Sequence, residues 1–257
     1  MSLLGSNTET VYALGLGANV VGVDVTSQYP PEVSSKPQLG NFSTIAPEPV
    51  LAAKPTVVIA PAIPAAMNAL ASVRSGGIPV VFVPETTDYV TGENRVRLIA
   101  DALGVPAAGD KLIATLRSQT DTAKKRLAPE VAKLRIIYLT YRNNQLSVFG
   151  QGSAPYVLVS QVGAINVVDE LNIKTGPITA ESLIAANPDV ILFPTDVSTT
   201  LGGPKAFAAL PAVAATAAAT SGQVYPVDAT KAQSLGPRTG EALAEIVDAI
   251  AKAKVVH

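Results

Sequence analysis

Four carboxylates, Asp24, Glu85, Asp88 and Asp196, are the side chains whose type could support general acid–base chemistry, one as proton donor and another as base. They are scattered from position 24 to position 196, and scattered acids are usually solvated surface residues rather than a catalytic pair. A hydrolase triad needs a base beside its nucleophile. The one histidine is His257, the last residue, which reads as the start of a purification tag. Cysteine is absent, which excludes disulfides, thiolate-held zinc, iron–sulfur clusters and thiol nucleophiles. Neither Gly-x-Gly-x-x-Gly nor Gly-Lys-Ser/Thr occurs, so dinucleotide and P-loop phosphate binding are not signalled. The residues favour binding without turnover, with no catalytic group and no resident cofactor.

The elements that must position any site come from a chain of 257 residues, 48% apolar, with a mean hydropathy of +0.33. That is ample for well-filled cores. A formal charge of −1 without a Lys/Arg run leaves no electrostatic footprint for nucleic acid or anionic lipid. The longest uncharged run near the middle of the first half is divided by Pro55, Pro61 and Pro64, so it reads as strand, turn and short helix rather than a membrane span. Met1-Ser2-Leu3 reads as a cloning remnant standing where a native leader was removed.

Two stretches are versions of one another. Thr44 to Pro61 aligns without a gap on Pro177 to Pro194, an offset of 133 positions. Each copy reads as a short helix led by a glutamate (Glu48, Glu181), a proline-marked turn, and an apolar strand that stops at a second proline. Two distant copies imply two similar lobes in tandem, and two lobes form a cleft in which a ligand can sit.

The pattern predicts an N-terminal α/β lobe over 1–105, a linker helix within 106–132, and a C-terminal α/β lobe over 133–257. In the first lobe Ser6 and Glu9 fit a capping box for a helix ending near Leu14. A strand at Asn19–Val23, a Ser/Pro-rich loop to Leu39, a strand at Thr56–Ala60, a helix at Ala65–Ser75, a strand at Pro79–Val83 and a helix at Asn94–Leu103 follow. Asp110 to Leu127 carries apolar residues at helical spacing and contains no glycine and no internal proline. The second lobe reads as strand Arg135–Thr140, a loop to Gly152, helix Ala154–Gln161, strand Asn166–Val168, the repeat unit, an Ala-rich helix at Phe207–Thr220, strand Gln223–Val227, and a last helix with Leu243, Ile246, Val247 and Ile250 on one face. The fold class is α/β: two Rossmann-like lobes with mostly parallel sheets joined by one long α-helix.

The segments Ser6–Gly15, Val21–Ser27, Pro55–Ile59, Gly77–Val81, Asn187–Leu192 and Leu235–Thr239, in that order along nearly the whole chain, resemble the substrate-binding proteins of iron-complex, hemin and cobalamin ABC importers. The Asp24-Val25-Thr26-Ser27 loop and the Leu235-Gly236-Pro237-Arg238 run are most similar to the hemin-binding branch. The resemblance implies a monomer outside the cytoplasmic membrane, periplasmic or anchored as a lipoprotein. It would deliver a chelate to a permease dimer with its ATPase subunits.

In the hemin branch a tyrosine follows the glycine equivalent to Gly40 and binds the heme iron, with an arginine two residues on. This chain has Asn41 and Ser43 there. If heme is the ligand, either the iron takes no ligand from the protein or another side chain reaches it; Tyr141 is the preferred replacement, because strand carboxyl ends face the cleft in such sheets, and Tyr29 and Tyr89 are lesser candidates. Arg142 and Arg238 have guanidinium forks that match carboxylates such as propionates, and Phe42 and Leu235 would wall a flat macrocycle. By the same resemblance Glu48 and Glu181 dock onto the permease, although an acid in a first helical turn is also favoured by the helix dipole. The ligand expected first is hemin, then a ferric siderophore or a corrinoid. From another class, a small hydrolase or transferase on a Rossmann-like scaffold is the alternative.

Overall fold

Short runs of β-branched and aromatic residues set the frame of each half of the chain. A computed structural model describes residues 1–256, so His257 and its reading as a tag lie outside the described residues. The chain divides into two units, Met1–Leu116 and Arg117 onward. Both are α/β, and the dividing line falls inside one 19-residue helix, Pro106–Lys124.

In the first unit β1 (Val58–Pro61) pairs in parallel with β2 (Val80–Val83), Val58 opposite Val80. Single-residue parallel bridges continue the sheet: Ser2 to Ile59, Ser2 to Val23, and Val23 to Gln38. Residues alternate between faces along a strand. Ile59 therefore joins Val11, Leu14, Val23 and Ile99 in one core, while Val58 and Ala60 join Leu3, Val50, Leu70 and Val73 in the other. Burial on both faces explains why β1 is apolar without alternation.

Several expectations change here. Met1-Ser2-Leu3 is the middle rung of this sheet: Leu3 N–H donates to Ile59 O at 2.8 Å, Ile59 N–H donates to Met1 O at 3.0 Å, and Leu3 is wholly buried. Ser6 does not cap the first helix, which runs Gly5–Ala13 and takes no side-chain cap from its own N-cap residue, Leu4. A loop caps it instead, through Asp24 and Thr26. The strand expected at Asn19–Val23 is a 3-10 turn at Gly17–Asn19 followed by the single pairing residue Val23. The helix expected at Ala65–Ser75 is two, Pro64–Ala69 and Ala71–Ser75, separated at Leu70. The next helix starts earlier than expected, at Tyr89, because Asp88 and Thr91 form a reciprocal capping box.

In the second unit β3 (Arg135–Arg142), β4 (Gln145–Val148), β5 (Ile165–Asn166), β6 (Gly176–Pro177), β7 (Val190–Pro194) and β8 (Val224–Val227) form a sheet of order β6-β4-β3-β7-β8, with β5 also on β3. The β3, β5, β7 and β8 strands are parallel, with Ile137 opposite Ile191 and Ile191 opposite Val224. The antiparallel β3–β4 hairpin was not expected. Its two-residue turn, Asn143-Asn144, has φ of +51° and +59°, a conformation asparagine tolerates and tight hairpins require. The Ala-rich stretch is three short helices, Pro204–Ala208, Pro211–Ala214 and Ala217–Thr220, restarted by Pro211 and by Thr216, whose hydroxyl accepts from Ala219 N–H. Val167-Val168 turns from strand into helix where Asn166 caps Val168 N–H. The last helix, Thr239–Ile250, buries Leu243, Ile246, Val247 and Ile250 as its spacing predicts.

The duplication holds in the backbone. Helix Pro47–Ala52 leads to β1 and helix Ala180–Ala186 leads to β7. The residues before the turn prolines, Lys54 and Asn187, are both left-handed, with φ of +47° and +41°. Asparagine occupies that region at lower cost than lysine. Lys54→Asn is therefore expected to raise stability by about 0.5–1 kcal/mol. A urea-denaturation midpoint that fails to rise would contradict this.

Candidate functional site

In a parallel sheet the strand carboxyl ends lie along one edge, and side chains free of core packing collect there. In the first unit this edge carries the loops after Val23, Gln38, β1 and β2; in the second it carries those after β3, β7 and β8.

The first-unit edge is ordered by a buried acid. Asp24 is fully buried and accepts from Leu4 N–H at 2.8 Å, Ser27 Oγ at 2.8 Å, Thr26 N–H at 3.1 Å and Thr26 Oγ1 at 2.6 Å. Thr26 Oγ1 in turn accepts Gly5 N–H at 3.1 Å. Beyond this knot Gly40 sits at φ +98° and accepts Val25 N–H at 3.0 Å. Asn41 is exposed, and its Oδ1 accepts both Ser43 N–H at 2.9 Å and Ser43 Oγ at 2.6 Å. The two positions where the hemin branch has tyrosine and arginine are thus bonded to each other as a compact Asx turn. Phe42 is half-buried against the Leu3–Val58 core. Tyr29 is 39% exposed, and Tyr89 is half-buried as the first residue of its helix.

At the second-unit edge β3 runs to Arg142 because the hairpin partner holds it, so Tyr141 lies inside the strand opposite Leu146 rather than beyond its end. Its ring is half-buried against the Leu139–Phe193 core, and its hydroxyl makes a long 3.4 Å bond to Asn144 Oδ1. Arg142 is exposed and meets Asp196 Oδ2 at 3.3 Å. Such an exposed pair contributes little to stability, about 0–1 kcal/mol, so the guanidinium has donors to offer.

Arg238 is 6% exposed, with Nη1 donating to Thr230 Oγ1 at 3.2 Å and Nη2 to Thr230 O at 3.0 Å. Leu235 is 1% exposed in the core with Tyr138 and Leu243. Both residues build the edge from below.

Three features were not read from the sequence. Asp228 accepts Thr230 N–H and Oγ1, and Lys231 Nζ bridges to Glu245 at 2.6 Å. Burial alone would raise the Asp228 carboxyl, but the Thr230 bonds and the charges of Lys231 and Arg238 hold it below its ordinary value. The signal for this network was the Asp-x-Thr spacing of a cap. Third, the buried Tyr138 and Thr140 hydroxyls have no hydrogen-bond partner among the described residues. Burial first, then Asp196, Asp228 and Glu245, pushes the Tyr138 hydroxyl well up. Two residues apart on β3, they share a face leading to Arg142, a pattern hidden inside an apolar strand.

The four candidate carboxylates have separate surroundings: Asp24 caps, Asp88 caps, Asp196 pairs with Arg142, and Glu85 is exposed. Among the described residues no three His, Cys, Asp or Glu side chains gather to hold a metal ion. Glu48 and Glu181 are both exposed in the first turns of their helices.

The family model for periplasmic binding proteins matches residues 1–230. The chain belongs to the periplasmic binding protein family. A periplasmic heme-binding protein of Roseiflexus sp. RS-1, solved in apo form, is 30% identical with a TM-score of 0.86, covering 97% of this chain and 96% of that one. An ABC transporter substrate-binding lipoprotein of Bacillus subtilis, YvrC, is 27% identical over 97% of this chain and 79% of its own length. A vitamin B12-binding protein of Salmonella choleraesuis is 26% identical over 75% of this chain and 70% of its own. This binding protein is accordingly of the solute-binding class that serves ABC importers, and its two-lobe α/β fold is that of its neighbours.

The two edge arginines of the binding protein separate experimentally. Arg142→Ala is expected to change stability by less than about 0.5 kcal/mol. Arg238→Ala, which strips bonds from Thr230 and leaves Asp228 short of a cation, is expected to cost on the order of 2 kcal/mol. Chemical denaturation of both variants checks the contrast, and equal losses would contradict it.

Proposed function

We propose that this chain is the extracytoplasmic, monomeric receptor of an ABC importer that captures an iron chelate, hemin foremost, and hands it to a permease dimer driven by ATPase subunits. The observation that carries the reading is the heme-binding neighbour matched over 97% of the chain at a TM-score of 0.86. Placement as a periplasmic protein or surface lipoprotein follows the same relatives, and among the described residues no helix is long and apolar enough to cross a membrane.

In this reading Tyr141 supplies the iron ligand from the second lobe. A phenolate oxygen is a hard donor suited to ferric iron, and this hydroxyl has only a long bond to Asn144 to give up. Arg142 pairs a propionate, since its fork is exposed and its bond to Asp196 is weak. Asn41 and Tyr89 contact the chelate from the first lobe, and Phe42 offers an apolar wall. Leu235 and Arg238 support the edge on which Tyr141 and Arg142 stand. A corrinoid is the second reading. It is favoured by Asn41 at the position of the iron-binding tyrosine, and a B12-binding relative supports it.

Titration with hemin is expected to shift the Soret band at micromolar concentrations, and Tyr141→Phe is expected to move the band and weaken binding by about tenfold or more. An unchanged spectrum together with heat release on adding cyanocobalamin in calorimetry would replace hemin with a corrinoid.

Glu48 and Glu181, equivalent acids on the two lobes, dock the loaded protein onto the permease. Glu48→Ala and Glu181→Ala are expected to leave ligand affinity within about twofold while uptake into cells is lost. Reduced ligand affinity in either variant would place that glutamate in the ligand site instead.

A further inference from the structure

The exposed face of each repeat helix carries the same residue types at the same spacing. On Pro47–Ala52 they are Glu48, Leu51 and Ala52; on Ala180–Ala186 they are Glu181, Ile184 and Ala185, all exposed. Positions i, i+3 and i+4 are neighbours on a helix surface. Each lobe therefore presents an acid, a branched aliphatic side chain and a methyl as one short strip. Helix packing does not require it, because the inward positions Val50 and Leu183, also equivalent, are the ones wholly buried.

One exposed aliphatic side chain is ordinary on a protein surface. Its recurrence is not. Nine large apolar side chains stand exposed among the described residues, and Leu51 and Ile184, at 42% and 44%, are the one pair separated by the 133-position offset of the duplication. Such a match between sequences that otherwise differ at most surface positions of the repeat indicates a shared task for the two strips.

Resting on the importer reading above, we propose that Leu51 with Ala52 and Ile184 with Ala185 are matched apolar anchors for the permease dimer. Each seats in an apolar recess beside the basic side chain that meets Glu48 or Glu181. The occupant is a two-fold partner because one strip is offered per lobe, and it is basic and apolar because each strip is acidic and aliphatic. The two components do different work. Charge at the rim sets encounter rate and orientation, whereas desolvated apolar contact sets how long the complex lasts. Alanine beside each anchor lets the partner backbone approach closely.

The kinetics of the purified protein binding to its own permease–ATPase complex in lipid nanodiscs test this. Leu51→Ser and Ile184→Ser are each expected to raise the dissociation rate about tenfold with the association rate within about twofold, and the double variant about a hundredfold, because separate sites add in energy. Glu48→Ala and Glu181→Ala should instead slow association and reduce its salt dependence. Melting temperature and hemin affinity should not move in the serine variants.

Unchanged dissociation in the serine variants, with the glutamate variants impaired, would overturn the anchors and leave acid-only docking. Wild-type kinetics in all variants would overturn the docking reading as well. Loss from one lobe alone would overturn the matched two-fold arrangement. Self-association of the wild type in sedimentation, abolished in the double serine variant, would assign the strips to a second copy and overturn the permease.

Discussion

A parallel sheet has to be covered on both faces, and that requirement disposes of nearly everything else in this protein. In the first unit Ile59 points into one core and Val58 and Ala60 into the other; in the second, Ile136 and Tyr138 face one cluster and Ile137 and Leu139 the opposite one. With both faces dry, groups that meet solvent or ligand are confined to strand ends and to the outer surfaces of the covering helices. Asp24, Asn41, Tyr141, Arg142 and Asp228 stand at strand ends, while Glu48 and Glu181 stand on covering helices. Strand-end groups and covering-helix groups are thereby placed on different surfaces by the architecture itself.

The edges are not equally committed. Asp24 concentrates four donors on one carboxylate, which fixes both the start of the first helix and the loop after Val23. Close by, Asn41 and Ser43 satisfy each other, so this stretch is pre-formed without a ligand and offers little uncompensated polarity. The β3 edge differs: a weakly held Tyr141 hydroxyl, an exposed Arg142, and the partnerless buried hydroxyls of Tyr138 and Thr140. Unsatisfied buried polar atoms are expensive and concentrate where something else completes them. Among the described residues such atoms occur in both units, Asn7 Oδ1 and the Tyr12 hydroxyl in the first and these two in the second, so it is the exposed Arg142 and the loosely held Tyr141 that set the β3 edge apart.

What could be read from the residues divides along a physical line. Elements whose stability is local were legible: the long helix by its 3.6-residue spacing, the final helix by its apolar face, the duplicated helix–turn–strand by direct alignment. Elements set by tertiary partners were not. Met1–Leu3 pairs into the sheet only because Gly22 and Ile59 flank it, and the first helix is capped by a loop some 20 residues away. The Asn143-Asn144 hairpin carries a local turn signal that was read as plain loop. Alanine-rich sequence suits one helix by propensity, yet Pro211 and Thr216 impose restarts. For the site, residue types at strand ends were foreseeable, but whether Arg238 or Arg142 is free to act depends on burial, which spacing does not encode.

The helix Pro106–Lys124 contributes Ile113 and Leu116 to a cluster of the first unit and Ala123 to the main core of the second. A helix of this length is held by packing rather than by propensity, and its hydrogen bonds run unbroken across the dividing line. Losing the core at either end frays turns on which the other core depends. Coupled rather than independent thermal unfolding of the two units is the expected consequence, carried through this continuous backbone helix.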